Sequence, residues 1–157
     1  MHFISGIGLY NNLPIGCENF YHSKLETTRI NIIKTTILYN MDYETARQFL
    51  IDQGTALETK INPDAFLMRL EQGKPPIPGQ VTNILLALKI SFETLQGDPL
   101  LDRELVAGLY LLAIESLKLF EAGRRKRVMW PPLLKEDIER ITIAVKNIFS
   151  GVVSKVK

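Results

Sequence analysis

GDPLLDRELVAGLYLLAIESLKLFEAG, residues 97–123, returns its apolar side chains at steps of three and four. That period belongs to an α-helix and not to a strand. Asp98 is placed to cap the helix, and Pro99 suits the first helical position, where a missing N–H costs nothing. The helix should run to about Gly123. Val106, Tyr110, Ala113, Leu117 and Phe120 form one stripe, and Leu105, Leu109, Leu112 and Leu119 a second beside it. Together they cover more than half the circumference, the pattern of a helix at the centre of a bundle.

The flanking sequence supplies partners for it. Upstream, a helix over about 79–96 repeats Val81, Ile84, Leu85, Leu88, Phe92 and Leu95, with Leu86 and Ile90 widening the stripe enough to touch neighbours on two sides. In NPDAFLMRLEQGK, residues 62–74, Asn62 can cap, Pro63 fits the first position and Gly73 fits just past the end. Phe66, Leu67 and Leu70 then point inward. A first helix near 42–53 opens on Asp42, buries Tyr43, Ala46, Phe49 and Leu50, and is weakened or ended by Gly54. Downstream of VMWPPLL, the last helix carries Glu136, Asp137 and Glu139 in its first turns, then Ile138, Ile141, Val145, Ile148 and Phe149, with Gly151 as its stop. No stretch reads as a strand, an Asn-Gly hairpin or a repeat. The expected fold is all-α, a compact bundle of about five helices with proline-rich connections.

The text changes at Met41. Residues 1–40 scatter Asn, Ile, Thr, Tyr and Phe without period and hold Cys17, His2 and His22, the only cysteine and histidines of the chain. The break supports two expectations: translation starting at Met41, or a genuine, loosely ordered N-terminal arm. Either way the expected organisation is an irregular extension, 1–40, and one helical domain, 41–157. An export signal is the weaker third reading. FISGIGLY is apolar and LPIGC approaches a lipoprotein box, yet no Lys or Arg precedes the run and Pro14 stands where a branched aliphatic residue belongs.

Composition narrows function. At 157 residues with a net charge of +2, the chain lacks the cationic excess that displaces counterions from nucleic acid. A single cysteine forms no intrachain disulfide, so the cytoplasm is the expected location. LVAGLYLLAI, residues 105–114, is the longest apolar run and is far short of a membrane span of roughly 20 residues.

Residues 41–157 contain neither His nor Cys, which removes the usual general base, zinc ligand and thiolate. A di-metal bundle would need Glu-x-x-His pairs, and none exists. Glu136, Asp137 and Glu139, like Asp102 and Glu104, are explained as acids opening helices. Gly73-Lys74 is the only Gly-Lys pair, but Met68 replaces the first glycine of a phosphate loop and Pro75 its Ser or Thr. No cofactor, metal ligand or catalytic residue is expected.

Two proline-centred loops carry the candidate site. GKPPIPG, residues 73–79, holds Lys74, Pro75, Pro76 and Pro78, and is stiff because each proline fixes its own φ. GRRKRVMWPP, residues 123–132, sets Arg124, Arg125, Lys126 and Arg127 at a helix C-terminus beside the single tryptophan, Trp130. The plainer reading of the first loop is a rigid connection. For the second, cations satisfy terminal carbonyls while Trp130 closes the core. The functional reading is a surface for an anion, an acidic protein partner or a phosphate backbone, nucleic acid being disfavoured by the charge balance; self-association through apolar helix faces is also open.

The words DYETARQFLIDQGTALE (42–58), GKPPIPGQVT and ILLALK around Asn83, LDRELVAGLYLLAIES (101–116), and WPPLLKEDIERI with Val145 and IFSG (148–151) resemble a family of short cyanobacterial proteins of uncharacterised role. The resemblance covers nearly all of 41–151 and none of 1–40, and it implies a start at Met41. Some members carry the label dethiobiotin synthetase, which implies ATP-dependent, magnesium-requiring carboxylation in biotin synthesis. Enzymes of that name are phosphate-loop α/β proteins, and both the loop and the strands are missing from this sequence. The expected function is therefore a non-catalytic helical interaction or assembly protein, with a small-molecule enzyme or ligand binder, such as the carboxylase that label implies, as the alternative.

Overall fold

Asp42 opens the helical part of the chain. In the computed structural model, which describes residues 41–152, its carboxylate accepts a 2.8 Å hydrogen bond from the Thr45 N–H and starts α1 (Tyr43–Gly54). Then come α2 (Ala56–Thr59), α3 (Phe66–Glu71), α4 (Gln80–Leu95), α5 (Arg103–Arg125) and α6 (Leu134–Ser150). The expected all-α class holds: the described residues form six helices and no strand. The sixth is α2, a single turn too short to show an apolar period. A boundary between Asn40 and Met41 divides the chain into two units. The irregular segment expected over 1–40, with Cys17, His2 and His22, lies outside the described residues.

Two helices start later than their sequences suggest. Asn62 does not cap α3; its Oδ1 accepts from the Asp64 N–H at 3.0 Å and closes a turn. The first free N–H of the helix, that of Phe66, instead donates at 2.8 Å to Oε1 of Gln53, a buried side chain of α1. Likewise Asp98 accepts from Leu100 in the connecting loop, while Asp102 caps α5 by accepting from Glu104 at 2.7 Å and Leu105 at 3.1 Å. The second carboxylate oxygen of Asp102 accepts from Arg47 Nη2 at 2.6 Å. Tertiary contact with α1 therefore selects this aspartate over the one nearer the proline.

Packing follows a ring. α1 lies against α5 and α4, and α6 lies against the same two, so α4 and α5 occupy opposite corners, while α3 seals α5 from the side. Leu50, Phe66, Leu67, Leu70, Ile84, Leu88, Leu105, Leu109, Leu112, Leu134, Ile138 and Ile141 are fully buried between them. Each contributes roughly 1.5–3 kcal/mol by leaving water. The expected central position of α5 is corrected: it is a wall of the ring. Tyr110 and Leu117, placed in an inward stripe by their spacing, are 56% and 45% exposed, and Phe149 of α6 is 43% exposed. No described helix is long and apolar enough to cross a membrane.

Candidate functional site

The connections α3–α4 and α5–α6 begin with the same backbone device. After α3, the Gly73 N–H donates to the Leu70 carbonyl (3.0 Å) and the Lys74 N–H to that of Arg69 (2.8 Å), with Gly73 at φ 68°. After α5, the Arg127 N–H donates to Arg124 (3.0 Å) and the Val128 N–H to Gly123 (2.9 Å), with Arg127 at φ 62°. Glycine accepts this left-handed conformation freely, whereas an arginine Cβ makes it cost about 1 kcal/mol. The two closures touch. A Cβ on Gly73 would lie 3.3 Å from Cγ2 of Val128, so Lys74 and Arg127 flank one contact between the loops.

Side chains hold the first loop in place. Arg69 donates through Nε to the Pro75 carbonyl at 2.8 Å and through Nη1 to Asp64 at 3.1 Å. Gln80 accepts from the Ile77 N–H at 3.1 Å and donates to the Asp64 carbonyl at 2.8 Å. The second loop is anchored by Trp130, whose Nε1–H donates to the Phe120 carbonyl at 3.1 Å and whose ring stacks on Phe120 with centroids 6.1 Å apart. Its indole lies on the α5 backbone at Gly123: a Cβ there would fall 2.3 Å from Cζ2.

Between the loops runs a cleft of about 230 Å³ lined by Pro76, Ile77, Gly79, Val81, Thr82, Pro131, Leu133, Leu134 and Asp137. Met129, 91% exposed, and Leu133, 69% exposed, stand at this same end of the bundle. Arg124, Arg125, Lys126 and Arg127 are all exposed, but only Arg124 and Arg125 are helical; Lys126 is the C-cap and Arg127 turns left-handed. The helix thus runs two residues past the expected end at Gly123 and closes within the cationic run. Arg124 pairs with Glu121 at 2.9 Å. Lys74, Arg125, Lys126 and Arg127 have no ion-pair partner among the described residues.

The candidate residues therefore converge unequally. Pro76 lines the cleft, Lys74 and Arg127 are the chain neighbours of Gly73 and Val128, which make the loop contact, and Trp130 braces the second loop from beneath. Pro75 and Pro78 are exposed and stiffen the rim without lining it. Ile77, Pro131 and Leu133 were not singled out by sequence reasoning, although each sits within a proline-rich run that marks an outward apolar side chain. Asp137, read as a helix-opening acid, also faces the cleft and accepts from Arg140 at 3.2 Å.

The electrostatics concentrate elsewhere. Hydrogen bonding from Arg47 holds the Asp102 carboxyl below the usual carboxylate range, aided by the Leu105 and Glu104 N–H groups. Arg47 also reaches Glu104 at 3.1 Å and Glu44 at 3.7 Å, so Asp102 and Glu104 join an ion-pair network besides opening α5. Among the described residues, no group of three or more His, Cys, Asp or Glu side chains is arranged to hold a metal ion. Gly73 and Lys74 terminate a helix, whereas a phosphate cradle presents its N–H groups where a helix begins. Compared with known proteins, the chain matches no family model, no curated protein and no solved structure.

Proposed function

We propose that this chain is a non-catalytic helical interaction protein that presents the cleft between its two proline loops to an acidic protein partner in the cytoplasm. The observation that carries the reading is Arg127. A cation without an ion pair among the described residues is kept in a conformation that favours glycine, directly before Val128, the residue through which the second loop touches the first. Ile77 and Leu133 offer contact area, and Lys74, Arg125, Lys126 and Arg127 offer long-range attraction to carboxylates. Exposed Ile77 and Leu133 favour a peptide over a phosphate backbone, as does the net charge of +2. Preformed loops lower the ordering cost of binding. Membership of the short cyanobacterial family over 41–151 belongs to the same proposal.

A phage-displayed peptide library selected on the folded protein tests this. Enrichment of acidic sequences bearing an apolar side chain, abolished by replacing Arg125, Lys126 and Arg127 with Ala, is the expected result. Enrichment indifferent to those replacements would contradict it.

A further inference from the structure

The ring leaves one side of α5 bare. Arg103, Ala107, Tyr110, Ile114, Leu117 and Glu121 succeed one another at alternating steps of four and three, which keeps them on a single line along the helix. Arg103, Ala107, Tyr110 and Leu117 are exposed, and Ile114 and Glu121 are half-buried. Beside the line, a cleft of about 340 Å³ opens between α5 and α6, walled by Tyr110, Ile114, Val145 and Phe149. The middle of the stripe is apolar, one end is a cation and the other an anion. Arg103 has no ion pair among the described residues, and Glu121 has only the exposed Arg124 on the next turn, 2.9 Å away. An exposed pair of that kind exchanges partners at little cost.

The order of these residues is self-complementary. We propose that a second copy of this chain covers the stripe, the two α5 helices packing antiparallel about a twofold axis level with Leu112. In that register Arg103 faces Glu121 of the second copy, Ala107 faces Leu117 and Tyr110 faces Ile114, and symmetry repeats each pair. The small Ala107 receives the larger Leu117. No like-charged residues of the stripe meet. Sliding one helix by a heptad sets Arg103 against Ile114 in one direction and Glu121 against Tyr110 in the other, so charge selects the register as well as the partner. The surface is separate from the loop cleft, and the two readings stand or fall independently.

Sedimentation of the full chain across a wide concentration range tests the proposal. The expected result is a reversible dimer. Arg103→Glu or Glu121→Arg alone should raise its dissociation constant about tenfold or more, since each places like charges opposite one another twice per dimer, and the double reversal should restore it to within about threefold. Circular dichroism confirms that each variant stays helical. A monomer at every concentration would overturn the proposal, and so would a dimer in which the double reversal is no better than the single ones.

Discussion

Gly54 of α1 and Gly108 of α5 meet backbone to backbone. A Cβ on Gly54 would fall 2.0 Å from the Gly108 carbonyl oxygen, and one on Gly108 would fall 3.0 Å from Cα of Ile51. No flexible side chain stands at this crossing to move aside. Gly54→Ala should therefore lower unfolding free energy by about 2–3 kcal/mol, at the upper end of what overpacking costs, and Gly108→Ala by less, because its contact is looser and alanine favours the helix interior. Urea denaturation measures this, and a loss under about 0.5 kcal/mol for Gly54→Ala would mean the crossing is looser than described.

That crossing also shows where sequence reading stops. The apolar period gave helix positions because burial recurs on one face, and it placed Ala46, Leu50, Ile84, Leu88, Leu112 and Ile138 inward. It could not tell that Gly54 ends α1 against another backbone, or that Gly108 inside an apolar run marks a contact, since close approach is a property of two helices at once. Gln53 was invisible for a similar reason: its partner, the Phe66 N–H, lies across a loop. The cations and prolines of the site were legible as composition. Their meeting depends on Gly73 touching Val128, which no local pattern encodes.

Acid should weaken the fold through Asp102. Its folded pKa lies below the ordinary 3.8 because Arg47 and two N–H groups favour the carboxylate. The stabilisation is complete above pH 3.8 and is lost as pH falls through the lower, folded value. Asp42, lowered by the Thr45 side-chain and backbone hydrogen bonds, acts with the same sign. Asp102→Asn should lower the melting midpoint at neutral pH and flatten its fall on acidification. An unchanged acid limb in the variant would remove Asp102 as a cause.

Arg127→Gly should separate stability from binding. Relief of the left-handed Cβ should raise unfolding free energy by about 0.5–1 kcal/mol while peptide capture at the cleft weakens. A variant that loses stability would show that Arg127 makes a contact within the fold that offsets its strain.

Trp130 should respond to a single methyl group on the neighbouring helix. Gly123→Ala puts a Cβ where the indole lies, 2.3 Å from Cζ2, so the ring must leave its stack on Phe120. Red-shifted tryptophan fluorescence and a loss of about 1–3 kcal/mol are expected. Unchanged emission would place the indole elsewhere.

With one tryptophan in the chain, the Trp130 indole N–H gives a single resonance directly beneath the proposed docking site. Titrating ¹⁵N-labelled protein with a library-selected acidic peptide reads that site directly. Saturable shifts should appear at the Trp130 indole and at the Ile77, Arg127 and Leu133 amides, weakening with salt and leaving the Tyr110 and Phe149 amides in place. Shifts confined to other surfaces, or none at saturating peptide, would contradict a docking function for the two proline loops.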